Sequence, residues 1–243
     1  MAVDENRRPI SQRSHGWAKW LTGVLVKSGV TPNFISFTSI LFGALGGLCF
    51  YAIGIATSAG DRVMLCLGAA LFCQLRLLAN MMDGMVAVEA GKASKDGMIW
   101  NELPDRLADI FILVGAGYGV AAIGLTDASL GWAAAVAAVM TAYVREVGRA
   151  AGAPADFSGP MAKPHRMFVM TVAALLTIFD QQIGGSVSQI VNWNYDDPAC
   201  RNAFCVRSGS GAFIALGLWI VLIGSTFTAL NRARRALVFL NKK

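Results

Sequence analysis

The segment from Asn80 to Asp109 sets acids and amides in the middle of a chain whose flanks are apolar runs of membrane-span length. It reads Asn80-Met-Met-Asp83-Gly84-Met-Val-Ala87-Val88, then eight residues, then Gly97-Met-Ile-Trp-Asn101-Glu102-Leu-Pro-Asp105-Arg106-Leu-Ala-Asp109. Ionisable groups held at one depth in a greasy chain are costly, so their default reading is functional. On helices these positions converge. Asn80, Asp83, Gly84 and Ala87 share one face, and Asn101, Asp105 and Asp109, four apart, share another. Two facing helix ends can thus aim several oxygens at one point. Carboxylate and amide oxygens suit a hard divalent cation, Mg2+, Mn2+ or Ca2+. Gly84, Ala87 and Gly97 leave room for a bulky molecule to approach the backbone.

Composition narrows the class. The chain is 55% hydrophobic and 15% charged, whereas a soluble domain carries about 25% charged residues. A polytopic membrane protein follows. No basic patch interleaves with aromatics, which excludes nucleic acid as a partner. The formal net charge of +6 belongs to loops facing lipid headgroups. Arg7 and Arg8 are not followed directly by an apolar stretch, so no cleaved signal peptide is expected.

Taken in order, residues 1–14 read as a mobile tail and residues 15–238 as one membrane domain. Within it, 15–29 form an amphipathic helix: Trp17, Trp20, Leu21, Val24 and Leu25 make one apolar stripe. Such a stripe lies in the membrane interface, with tryptophans at headgroup level. Thr31-Pro32-Asn33 then starts a helix, with Thr31 as N-cap. Six transmembrane helices are expected between residues 33 and 230, at about 33–56, 63–88, 98–124, 130–148, 167–183 and 212–230. Glycines and prolines between Arg149 and Arg166 forbid a long helix there. Residues 239–243 form a basic tail. Gly43, Gly46, Gly47, Gly115, Gly117 and Gly119 let helices approach closely, and packing within the chain is favoured over a dedicated dimer face.

Lys and Arg concentrate on one side: the N-terminal segment, the loop with Lys92 and Lys95, the loop from Arg145 to Arg166, and the C-terminal tail. That side is cytoplasmic, and the Asn80–Asp109 segment opens toward it. A bacterial inner-membrane protein with a cytoplasm-facing site is expected. Cys49, Cys66 and Cys73 read as small core residues. Cys200 and Cys205 fall on the opposite, oxidising side, where they can pair.

The order and spacing of the central segment resemble the signature of the CDP-alcohol phosphotransferase family of membrane phospholipid synthases. That signature falls without a gap on Asn80, Asp83, Gly84, Ala87, Val88, Gly97, Asn101 and Asp105. Asn80 and Asn101 stand where the family carries aspartates, and Val88 where it carries an arginine. The chain most resembles a bacterial branch with asparagine at both positions, whose further motifs are Asp109 and Gly159-Pro160-x-x-Lys163-x-x-Arg166. The resemblance covers roughly residues 27–238.

It implies a homodimeric enzyme that moves a phosphatidyl-type group from CDP-diacylglycerol, or a related CDP-alcohol, to a hydroxyl acceptor and releases CMP. Asn80, Asp83, Asn101 and Asp105 would hold Mg2+ or Mn2+. Because two acids have become amides, one divalent cation, or two held weakly, is expected. Asp105 inherits the general base by position, with Asp109 and Glu102 as rivals. Gly84, Ala87, Gly97, Arg76, Arg149, Lys163 and Arg166 are the candidate substrate contacts, Lys163 and Arg166 toward an anionic acceptor or headgroup. For Arg76 and Arg106 the alternative is plain charge balance, since buried charges come paired. Two other readings stay open. One is a catalytically silent paralogue that binds lipid or nucleotide or scaffolds a partner. The other, a small transporter, lacks the interrupted helices expected in matching halves.

Overall fold

Every regular element among the described residues is helical. The computed structural model describes residues 15–91, 97–180 and 211–242, with the side chains of Met98 and Asn101 set aside. The elements are α1 (Gly16–Lys27), α2 (Pro32–Ile55), α3 (Ala59–Glu89), α4 (Gly97–Ala122), α5 (Ser129–Ala150), α6 (Lys163–Thr177) and α7 (Ala212–Leu240). Cys200 and Cys205, Lys92 and Lys95, and the 1–14 tail lie outside the described residues. Four helices, α2, α3, α5 and α7, are long and apolar enough to cross a membrane.

Local chemistry sets the helix ends. The Thr31 hydroxyl accepts the Phe34 N–H at 3.3 Å, and Pro32 opens α2 without wasting a donor. Ser58 caps α3 by accepting the Asp61 N–H at 3.2 Å. Helix α3 therefore begins at Ala59, four residues before the expected start at 63. Helix α6 begins at Lys163, one turn before the expected start at 167, because Pro164 is tolerated in a first turn. Helix α7 runs ten residues past the expected end at Leu230, to Leu240. Arg232 anchors that extension: its side chain is buried and donates to the carbonyls of Ser158 at 2.9 Å and Thr141 at 2.8 Å.

The interior is built from small residues and the exterior from large ones. Ala, Cys and Met dominate the buried core around α3, α4, α5, α6 and α7. Outward positions carry Leu41, Leu48, Leu67, Phe111, Val136, Ile223, Phe227 and Leu230. Cys66 and Cys73 are fully buried and unpaired, as expected of core residues. Apolar patches on this scale are not left to water by a monomeric soluble protein.

Helix α4 packs closely on α2 through backbone. A Cβ on Gly47 would sit 2.1 Å from the Phe111 carbonyl oxygen, and one on Gly115 would sit 2.2 Å from the Gly47 carbonyl oxygen. Gly119 against Phe50 and Gly43 against Ala108 repeat the pattern, and Gly117 meets Gly131 of α5. Five of the six glycines singled out in the spans thus serve packing within the chain. Gly46 is looser, with 3.4 Å to the Phe72 Cβ.

Helix α1 turns Ala18 and Thr22 inward and its tryptophans outward. Thr22 Oγ1 donates to the Ala18 carbonyl at 2.8 Å and lies 3.8 Å from the sulfurs of Met82 and Met85 on α3. Trp17 and Trp20 are 50% and 70% exposed. The stripe is therefore split: Trp17, Trp20 and Val24 face away from the bundle, while Leu21 and Leu25 pack against it.

Candidate active site

The C-terminal end of α3, the first half of α4 and the start of α6 meet at one end of the bundle. There the chain gathers Arg76, Asn80, Asp83, Asp105, Asp109, Lys163 and Arg166. The centre is Lys163, whose Nζ donates to Asn80 Oδ1 on α3 and to Asp105 Oδ2 on α4. Two helices are thus tied through the first side chain of a third. Behind this, Asp109 is completely buried between two guanidiniums. Arg76 Nη2 donates to its Oδ1 at 2.7 Å, and Arg166 Nη2 donates to its Oδ2 at 2.6 Å. Arg76 Nη2 also donates to the Asp105 carbonyl at 3.0 Å and lies 3.3 Å from Asp105 Oδ1. Arg166 Nη1 donates to the Met161 carbonyl at 2.9 Å and to Thr141 Oγ1 at 3.3 Å.

Asp83 sits one turn beyond Asn80 on the same face of α3 and is 4% exposed. Its Oδ2 accepts the Ser36 hydroxyl of α2 at 2.8 Å, and its Oδ1 accepts the Gly84 N–H. Glu102 is drawn aside by Arg106 at 2.7 Å and Arg145 of α5 at 2.6 Å. Arg149 pairs with Glu146 at 3.4 Å, within α5 rather than with the central cluster. Gly84, Ala87 and Gly97 are partly exposed at the mouth, and the α4 backbone carries Asn101 one turn before Asp105.

Of the residues expected at the site, Arg76, Asn80, Asp83, Asp105, Asp109, Lys163 and Arg166 are thus brought into linked contacts or onto one face. Arg149 is not joined to them by the ion pair described. Three participants were not singled out from sequence: Ser36, Thr141 and the Asp156–Ser158 turn. Hydroxyls within otherwise apolar helices are the signal for the first two, though Thr38 and Ser39 beside Ser36 leave the choice open. The turn closes a second feature, a cavity of about 300 Å³ lined by Arg145, Pro154, Asp156, Arg232, Arg235 and Phe239 among others. Gly159 next to it has φ +120°, and a Cβ there would meet Thr228 at 2.5 Å. Only glycine fits that corner. The Thr228 hydroxyl in turn accepts the Met161 N–H at 3.1 Å, which fixes the approach to Lys163.

Among the described residues, no group of three or more His, Cys, Asp or Glu side chains converges as a metal cage. What converges is a smaller set of hard oxygens: the carboxylates of Asp83 and Asp105 and the Asn80 amide. The Asp105 Oδ1 atom is buried and accepts no hydrogen bond, and the cation that faces it is the Arg76 guanidinium at 3.3 Å. The chain also supplies cations of its own: Arg76 and Lys163 pair with Asp105, and Arg76 and Arg166 with Asp109, while Asp83 accepts from the Ser36 hydroxyl and the Gly84 N–H.

The chain is similar in sequence and in fold to known proteins. No family model matches the chain. Over 155 residues it is 26% identical to a phosphatidylinositol phosphate synthase of Mycolicibacterium smegmatis, a match covering 63% of this chain and 64% of that protein. The chain thus spans just under two thirds of that relative. It is 27% identical over 169 residues to an archaetidylinositol phosphate synthase of Pyrococcus horikoshii, covering 70% of this chain and 81% of the relative. Among solved structures, phosphatidylinositol phosphate synthase of Mycobacterium tuberculosis in complex with manganese and citrate aligns with TM-score 0.62 at 18% identity, over 89% of this chain and 87% of the other. The same enzyme with CDP-DAG bound aligns with TM-score 0.61, also at 18% identity, over 89% and 91%. At that identity the likeness establishes a shared fold. These relatives and neighbours are enzymes, phosphotransferases that act in lipid synthesis.

Proposed function

We propose that this chain is a membrane phosphatidyltransferase of the CDP-alcohol phosphotransferase kind. It takes CDP-diacylglycerol, or a related CDP-alcohol, transfers the phosphatidyl-type group to a hydroxyl acceptor and releases CMP. The observation that carries the reading is the joining of Asn80 of α3 to Asp105 of α4 through Lys163, with Asp83 buried one turn further along α3, in the order and spacing of the family signature. The Asn80 and Asn101 variant of that signature is part of the proposal.

Asp83 and Asp105, on the helix faces that also carry Asn80 and Asn101, are the proposed holders of one Mg2+ or Mn2+. When bound, that ion supplies positive charge to diphosphate oxygens as charge develops on them. The remaining roles belong to the chain itself. Asp105 is the proposed base for the acceptor hydroxyl, within reach of whatever enters beside Lys163. Asp109 has both oxygens taken by guanidiniums, so its proposed part is to hold Arg76 and Arg166 in place rather than to take a proton. Gly84, Ala87 and Gly97 border the space for the nucleotide. Lys163, and Arg149 at the same end of the bundle, give an anionic acceptor a positive approach, and the Arg145–Arg232–Arg235 cavity opens beside them.

In the same reading, α4 and α6 complete a six-span membrane domain. Helix α4 has 26 residues, about 39 Å at 1.5 Å per residue, against a hydrocarbon core of about 30 Å. Helix α1 lies in the interface with Trp17 and Trp20 at headgroup level. The site opens to the cytoplasm of a bacterial inner membrane, in accord with the basic residues gathered at that end. The active form is a homodimer, to be checked by cross-linking in native membrane.

A silent paralogue has one observation in its favour: the cluster is charge-balanced by the chain's own cations. One assay separates the two. Purified protein in lipid nanodiscs receives CDP-diacylglycerol, Mn2+ and a panel of polyol and polyol-phosphate acceptors. Acceptor-dependent CMP release is expected; none with any acceptor or metal would leave the silent reading standing.

A further inference from the structure

We propose that the ammonium of Lys163 is a built-in cation: it fills a position among the signature oxygens that a divalent ion would otherwise take. This rests on the reading of the site as a phosphatidyltransferase centre. The geometry is that of cation binding. One amide oxygen from α3, Asn80 Oδ1, and one carboxylate oxygen from α4, Asp105 Oδ2, converge on a single positive atom. Hard oxygens from separate elements aimed at one point are what a divalent ion uses. Here the point is occupied by Nζ.

Three features argue that the lysine is placed for this purpose. Lys163 is the first residue of α6, where the helix dipole disfavours a positive side chain. The position is unfavourable for the helix and is offset by Asp105. The approach is also built: Gly159 takes a backbone that other residues rarely adopt, and Thr228 holds the Met161 N–H. Lastly, charge and donor type agree. An aspartate at position 80 would add the negative charge that a second divalent ion requires, whereas a neutral amide beside a singly charged ammonium balances without one. Asn80 and Lys163 therefore read as a matched pair. Asp83, whose carboxylate accepts from two neutral donors, the Ser36 hydroxyl and the Gly84 N–H, remains for one exchangeable ion.

The consequence is a mixed centre with one fixed and one exchangeable cation. The fixed charge does not dissociate under chelation. The site binds at most one divalent ion per chain, and Lys163 repels any ion that approaches Asn80.

Mn2+ binding to the purified full chain, counted from the electron paramagnetic resonance signal of free ion, tests this without reference to turnover. At most one Mn2+ per wild-type chain is expected. The pair Asn80→Asp with Lys163→Ala should bind one more ion than wild type. Lys163→Met keeps the stem and removes the charge, and should tighten Mn2+ binding roughly tenfold or more, since a unit charge then no longer opposes a divalent one a few ångström away. Two ions on the wild-type chain overturn the proposal whatever the variants do. So does a monodisperse, helical double variant with no added ion, or Lys163→Met with unchanged affinity. CMP release is scored separately. Release with two bound ions defeats this inference alone, and correct ion counts without release defeat the enzymatic reading alone.

Discussion

Helix α4 is held in two different ways along its length. Its second half meets α2 through backbone, at Gly47, Gly115 and Gly119, with no polar side chain at the points of closest approach. Its first half meets α3 and α6 through charge: Asp105 to Lys163 and Arg76, Asp109 to Arg76 and Arg166. In a bilayer neither seam can lean on the hydrophobic effect between helices, because lipid is as apolar as leucine. One seam relies on contact distance and tolerates no added atom. The other relies on partners and tolerates no lost one. The site lies in the second, where a charge already has a reason to be buried.

Four measurements break or sharpen that contrast. The largest effect is expected on activity, at the charged seam. Asp105→Asn keeps shape and removes the proposed base, so CMP release should fall by about 10²–10⁴-fold while the protein stays helical and monodisperse. Activity within threefold of wild type would remove Asp105 from the chemistry. Next comes Asp109→Asn, which leaves two buried guanidiniums facing an amide. Removing one partner of a buried pair costs about 3–5 kcal/mol, read as a lowered midpoint of unfolding in mixed micelles. A variant as stable as wild type would mean that the Arg76–Asp109–Arg166 chain does not hold this seam.

At the glycine seam, Gly47→Ala should cost about 1–3 kcal/mol through overpacking, because the added carbon lands 2.1 Å from the Phe111 carbonyl oxygen. Gly46→Ala, with 3.4 Å to its nearest neighbour, is the control and should be close to neutral. Equal effects of the two would dissolve the contrast between adjacent glycines. The smallest effect is expected in the turn beside the cavity. Burial alone would lift the Asp156 carboxyl, but the Ser158 N–H and hydroxyl and the nearby Arg235 and Arg232 hold it below the usual carboxylate range. A lowered folded pKa stabilises above the unfolded value, and the contribution disappears as pH falls through the folded one. Asp156→Asn should therefore melt slightly below wild type at neutral pH, and the gap should close in acid. A gap that persists unchanged at low pH would contradict the ionic account.

The two seams also differ in how far the sequence exposes them. Glycines at helical spacing in α2 and α4 read directly as close packing, because the period of a helix is local information. Gly54, seven residues after Gly47 on the same stripe, joins these contacts at Gly119, whereas Gly131 of α5 meets Gly117 from a different helix and stands outside the repeat. At the charged seam, Asn80, Asp83, Asp105 and Asp109 could be placed on faces by spacing alone. Their partners could not be assigned. Arg166 reaches Asp109 across 57 positions and Lys163 reaches Asp105 across 58, and nothing in a local pattern says which cation meets which acid. The same limit explains Arg149, which spacing grouped with Lys163 and which pairs with Glu146 in its own helix. The longer α7 was also hidden, since its extension depends on Arg232 finding carbonyls in two distant segments.

A seam made of backbone has no rotamers. At Gly47, Gly115 and Gly119 there is no χ angle to freeze when α2 and α4 come together and none to release when they part, so side-chain entropy drops out of that contact. Its response to a perturbation is close to binary: the two helices stay in register or they separate. The ionic seam behaves differently, because each of its contacts runs through side chains with torsions of their own and can give by degrees. Within a single helix, then, one half of α4 is held all or nothing and the other in graded steps.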